Sequence, residues 1–139
     1  MTDPAQWDVA TLRVAFGSRA ASPVEVLAAV RARIARFEPT INALVRQDEG
    51  VTAAADGEAT LAATQSQERW RRGEPLGPLD GMPVTVKENL ARVGIPMRGG
   101  CAGATPVVPV RDAPVVERLR ESGAVIVGST TMPDWGMLS

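Results

Sequence analysis

Residues 83–87 read PVTVK and residues 124–127 read AVIV, and the fold follows from how these two short runs differ. PVTVK alternates at period two, with Val84 and Val86 on one face and Thr85 and Lys87 on the other. AVIV is apolar without interruption, the pattern of a strand covered on both faces. Between them a helix is expected over about 113–122, with Asp112 as its cap, Val115, Val116 and Leu119 turned inward and Gly123 at its C-terminal end. Strand, helix, strand predicts a parallel pair joined by a right-handed crossover, so the fold class is α/β.

Working outward, residues 73–83 (GEPLGPLDGMP) hold three prolines and three glycines and read as a turn-rich connection. Before it, residues from about 51 to 72 are alanine-rich and helix-favouring, with a small-sided face suited to packing on something larger. INALVR at 41–46 is a candidate strand. Ser22, Pro23 and Glu25 fit a capping box with proline at the first helical position. Val26, Leu27, Val30, Ile34 and Phe37 then form one apolar stripe, while Arg31, Arg33 and Arg36 read as a solvated face and Pro39 as the helix stop. Asp3 and Pro4 start a first helix that buries Trp7, Leu12 and Phe16 and ends at Gly17 and Ser18. Residues 94–110 form a glycine- and proline-rich loop.

The 139 residues suit one domain, or a piece of a larger one. The net charge of −1 gives no electrostatic case for nucleic acid or an anionic membrane surface. No apolar run approaches the roughly 18 residues of a membrane span, and MTDPAQWD has no secretory pattern. The single cysteine, Cys101, precludes an internal disulfide and fits a reducing cytoplasm. The absence of histidine excludes a Ser-His-Asp triad, a Cys-His pair and a His-ligated metal within these residues. Of 15 basic residues only Lys87 is lysine, the one cationic side chain that can give up its proton when desolvated. Taken alone, a compositional bias toward arginine accounts for this.

Lys87 falls at the C-terminal end of its strand, where open α/β sheets bind ligands, and the loop beginning at Ser129, Thr130 and Thr131 reaches the same edge. A partly desolvated lysine there serves as a general base. A surface lysine at a strand terminus is the competing reading, and position alone leaves both open. The surrounding string decides. DGMPVTVKEN at 80–89 resembles the lysine-bearing strand of the amidase signature family. RDAPVVERLRESGAVIVGSTTMPDWGM at 111–137 is similar to that family's next helix, strand and loop, and the upstream helices match its N-terminal layout.

The resemblance implies that residues 1–139 are the N-terminal part of a single amidase domain: helices, then the first strands and crossover helix of a mixed, mainly parallel sheet. It implies hydrolysis of a small-molecule carboxamide by a Ser-cisSer-Lys triad, with no metal and no cofactor. Lys87 is the matching lysine, neutral at the start and taking a proton through the bridging serine while the second serine attacks the amide carbon. Met137 falls in a segment that approaches the acyl-binding pocket. The bridging and nucleophilic serines are expected after Ser139, so the 139-residue chain is expected to be inactive alone. Glu88 stands where aspartate is usual and Ser129 where lysine is common. RGGCAGA at 98–104 neither follows a strand nor opens a helix, so it reads as a flexible loop near the site rather than a phosphate cradle, with Cys101 a loop or packing residue.

Three other readings remain. The chain can belong to the A-type component of a tRNA-dependent amidotransferase, ranked lower because MPDWG looks more like the free-standing amidases. It can be a non-catalytic remnant or interaction module. A nucleotide-binding α/β domain comes last.

Strand edges left unpaired and an AVIV run left uncovered make the isolated chain poorly stable or aggregation-prone. Thermal melting and size-exclusion chromatography test this: a cooperative melt with monomeric elution is the contrary result.

Overall fold

The computed structural model describes residues 3–137 of the chain. Its elements, in order, are a 3-10 turn at Pro4–Gln6, α1 (Val9–Ser18), α2 (Pro23–Ile41), α3 (Glu49–Arg72), β1 (Pro83–Lys87), α4 (Pro114–Glu121), β2 (Val125–Thr130) and a 3-10 turn at Asp134–Gly136. β1 pairs with β2 in parallel, from Pro83 opposite Val125 to Lys87 opposite Thr130. The register slips between Val84, opposite Ile126, and Thr85, opposite Gly128, so Val127 is an extra residue in β2.

The unbroken apolar run of β2 is explained by what covers it. Val125 packs with Leu27 of α2 and Ala59 and Ala63 of α3. Its neighbour Ile126 points the other way and packs with Val86 of β1 and Val116 of α4. The alanines of α3 let that helix lie close on the strand. A third cluster, Leu12, Phe16, Val26 and Met82, joins α1 and α2 to the start of β1. Trp70 meets Phe16 edge-on there, with ring centroids 5.7 Å apart. Among the described residues no helix is long and apolar enough to cross a membrane.

Several local expectations are corrected. Asp3 caps only the first 3-10 turn; α1 begins at Val9, where Asp8 Oδ1 accepts from Thr11 N at 2.7 Å. The capping box at Ser22 and Glu25 forms as expected. Pro39 does not stop α2, which runs to Ile41 and ends with Asn42 in the left-handed conformation. The proline sits in the last turn, where one missing amide costs little and Asn42 N closes onto Glu38 O at 2.8 Å. INALVR does not form a strand, because Ile41 ends α2 and Asn42 is its left-handed cap, but Leu44 bridges Thr130, with Val45 N on Ser129 O and Thr131 N on Ala43 O, both at 2.8 Å. Asp112 does not cap α4; its carboxylate accepts from Val93 N at 2.7 Å and from Arg120 Nε at 2.6 Å. Pro114 at the first position of α4 already removes one orphan amide. Val115 is exposed, while Val116 is buried and Leu119 partly so. The arginine face of α2 is engaged in part: Arg33 and Arg36 lie over the Phe37 ring, and Arg31 pairs with Asp56.

The turn-rich connection is held by one buried carboxylate. Asp80 accepts from Arg69 Nε at 2.9 Å and Arg69 Nη2 at 2.6 Å, a two-pronged pair, and from Leu76 N at 2.9 Å. Trp70 Nε1 donates to its backbone carbonyl at 3.1 Å. Gly123, with φ +79, passes so near that a Cβ there would overlap Asp80 Oδ1. Burial alone would raise the Asp80 pKa, but the Arg69 fork and the Leu76 amide outweigh it and hold the group below the usual carboxylate value.

A lowered folded-state pKa means that this contribution is fully present above the unfolded value of about 3.9 and is lost as pH falls through the folded one. Stability is therefore expected to drop on acidification below about pH 4. Asp80→Asn leaves Arg69 without its counter-charge and is expected to cost about 3–5 kcal/mol at neutral pH. Urea denaturation followed by tryptophan emission measures the loss; a difference under about 1 kcal/mol would remove Asp80 from this role.

Candidate active site

β1 ends at Lys87 because the chain turns there. Glu88 N donates to Thr130 O at 3.0 Å, the last rung of the ladder, and Leu90 N donates to Lys87 O at 2.9 Å. Lys87 is exposed, and among the described residues no ion pair or hydrogen bond engages its ammonium. By strand alternation it shares a sheet face with Thr85. On that face Thr85, Val127 and Thr130 meet Ile34, Phe37 and Leu44 around a groove of about 480 Å³.

Alternation puts Glu88 on the opposite face, with Val86, and it is 4% exposed. Its Oε1 accepts from Arg98 N at 2.7 Å and its Oε2 from Gly100 N at 2.9 Å. The glycine-rich loop is thus pinned, not flexible. Two of the amides that a phosphate cradle would offer are already engaged by this carboxylate. Gly100, at φ +78, lies against the next loop so tightly that a Cβ would come within 2.6 Å of Met132 O and Pro133 O. Trp135 N donates to Gly99 O at 2.7 Å. Two loops therefore close on each other beside the strand ends.

Behind β2 lies a charge cluster. Arg92 is 2% exposed; its Nη1 reaches Ser129 Oγ at 3.4 Å and its Nη2 lies 3.8 Å from Glu58 Oε2. Arg92 Nε and Nη2 have no hydrogen-bond partner among the described residues. Burial pushes the Arg92 pKa down, with the Asp112 charge opposing it. Arg120 pairs with both Glu58 and Asp112. Ser129, at a position where the resemblance makes lysine common, is thus buried beside an arginine supplied from another segment.

The structure makes Lys87 and Thr130 register partners and sets Ser129 one residue before. Met137 is left at the surface, 74% exposed, with its amide on Asp134 O at 3.0 Å. Leu138 and Ser139, the end of the DWGMLS run, lie outside the described residues. Cys101 is half-buried in the pinned loop, its amide on Arg98 O. Among the described residues no group of three or more acidic or thiol side chains gathers in a way that would hold a metal ion. Sequence reasoning missed the roles of Glu88, Arg92 and Asp80. For Glu88 a signal existed, because period two carried one residue past Lys87 puts it on the buried face.

Comparison with known proteins places this geometry. The family profile described as Amidase matches residues 25–139. An indoleacetamide hydrolase of Bradyrhizobium diazoefficiens is 32% identical over 130 residues, covering 94% of this chain and 24% of its own. The A-type component of the glutamyl-tRNA(Gln) amidotransferase from Salinispora tropica is 35% identical over 138 residues, covering 99% of this chain and 26% of its own. The structure of the native peptide amidase from Stenotrophomonas maltophilia superposes with a TM-score of 0.79 at 27% identity, over 94% of this chain and 26% of that one. The chain thus spans about a quarter of the length of these relatives. With its profile matched over residues 25–139 and its α/β framework shared with these enzymes, the chain belongs to the amidase (amidase signature) family.

Proposed function

We propose that this chain is the N-terminal part of an amide hydrolase in which Lys87 is the general base of a Ser-cisSer-Lys triad. The observation that carries the reading is the place of Lys87: the last residue of a parallel strand, on the edge where such sheets bind ligands, inside the matched region. In this reading the neutral amine accepts a proton relayed from the nucleophilic serine through the bridging serine. The serine attacks the amide carbon, backbone N–H groups hold the oxyanion, and water releases the acid. Both serines belong to the part of an amidase-length protein outside these residues, so the 139-residue chain alone is proposed to be inactive. The substrate is a small carboxamide, with Met137 a candidate contact for its acyl part. The indoleacetamide hydrolase and peptide amidase among the similar proteins support hydrolysis of a carboxamide.

A second reading, a component that passes ammonia to a tRNA-bound substrate, is favoured by the A-type amidotransferase components among the relatives. Release of ammonia from a simple amide by the amidase-length protein without any partner protein is the result that would decide for the hydrolase.

In the amidase-length protein, Lys87→Ala is expected to lower turnover of simple carboxamides by about 10²–10⁴-fold, the usual contribution of a positioned acid–base group. Steady-state release of ammonia measures it. Unchanged turnover would show that Lys87 is not the base.

A further inference from the structure

We infer that Glu88 is a positioning residue for substrate: its carboxylate fixes two loops that leave the same end of the sheet as Lys87. This rests on the amidase reading above and deepens it.

Glu88 is adjacent in sequence to Lys87 but serves the opposite face of the strand. Its own amide is the last rung to β2, on Thr130 O, so its backbone is fixed on one side. Its side chain is buried, and each carboxylate oxygen takes one backbone N–H, from Arg98 and from Gly100. An ionised carboxylate can accept at both oxygens at once; no neutral side chain of this size can. The segment so held passes the constraint on. Gly99 O takes the Trp135 amide, and Gly100 fits under Met132 O and Pro133 O with no room for a side chain. One carboxylate thereby sets the position of two loops, 98–101 and 132–136. The second of these carries Trp135, 70% exposed and held at φ +50, a conformation that a bulky residue adopts only when its surroundings impose it. The Trp135 ring lies beside Gly99, so its six-membered edge faces the pinned loop. The chain leaves β1 at Lys87 and reaches the first loop at Arg98, while the second follows β2 after Thr131, so both lie downstream of the strand ends that carry Lys87. In this inference an amide that reaches Lys87 from that end of the sheet meets the two loops with its flanking groups.

The residue substitution that tests this is Glu88→Gln in the amidase-length protein. The amide side chain turns an NH₂ toward one of the two N–H donors, so one contact is lost and replaced by repulsion. Two readouts are needed. Hydrogen exchange at the Arg98 and Gly100 amides is expected to rise about tenfold or more, the factor one hydrogen bond to a charged acceptor is worth, while the amides of β1 and β2 stay protected. KM for a carboxamide is expected to rise about tenfold, with kcat within about threefold, because the loops rather than the base have moved. Glu88→Asp keeps two acceptor oxygens and is expected to restore most of both. Where Glu88→Gln fails to fold, Gly100→Ala carries the test: it forces the same two loops apart while leaving the Glu88 side chain unchanged and is expected to raise KM in the same way. Unchanged exchange at Arg98 and Gly100 in Glu88→Gln overturns the inference whatever the kinetics. Raised exchange with unchanged KM, or a loss in kcat alone, overturns it as well, since the loops then do not contact substrate. An unsubstituted protein that hydrolyses no amide overturns the proposed function, and that failure is distinct because the exchange experiment needs no activity.

Discussion

The Arg69–Asp80 pair is the constraint on which the rest of the structure depends. It lies where α3, the turn-rich connection and the α4–β2 junction meet, and its carboxylate serves all three. A buried carboxylate is unfavourable unless its lone pairs are used, and here a guanidinium fork and a backbone amide use them. The pair therefore fixes where the chain must leave α3 and where β1 can begin. Gly81 N donates to Gly123 O and Val125 N to Met82 O, which starts the two strands side by side only two residues beyond the carboxylate. The starting register of the sheet is thus set at the end of the strands farthest from Lys87.

The same logic governs the other end. Once the strands are aligned, the positions of the loops beyond them depend on single polar groups: Glu88 for the glycine-rich loop, and Asp112, through Val93 N, for the segment that joins it to α4. Apolar burial supplies most of the driving force, through Leu27, Ala63 and Val125 on one side of β2 and Val86, Val116 and Ile126 on the other. It does not specify direction. The buried polar groups do, because each has a fixed number of partners at fixed angles.

What could be read from the chain follows from this division. The fold class was legible in PVTVK and AVIV because periodicity reports which faces are covered, and the capping box at Ser22 was legible because its partners lie three residues apart. Lys87 could be placed at a strand end for the same reason. Asp112 was misread because a residue ahead of a helix has the local geometry of a cap, while the groups that claim its side chain, Val93 N and Arg120 Nε, arrive from elsewhere in the fold. Pro39 was misread because the rule against proline holds for a helix interior, and the last turn has few amides to lose. The pinning of the 98–104 loop was hidden for a further reason. Glycine signals conformational freedom in a sequence, and only the fold shows when that freedom has been used for close approach.

The extra residue at Val127 has a consequence for how such proteins diverge. An even ladder begun at Pro83 and Val125 would set Ser129, not Thr130, opposite Lys87; the slip moves the partner on by one. A chain lacking the residue at this position would pair evenly and still bring Thr130 to the lysine. The same loss elsewhere in β2 would turn the residues beyond it to the other face unless the slip absorbed the change. The slip is therefore the place in the strand where length can vary by one residue while the neighbour of the lysine stays the same.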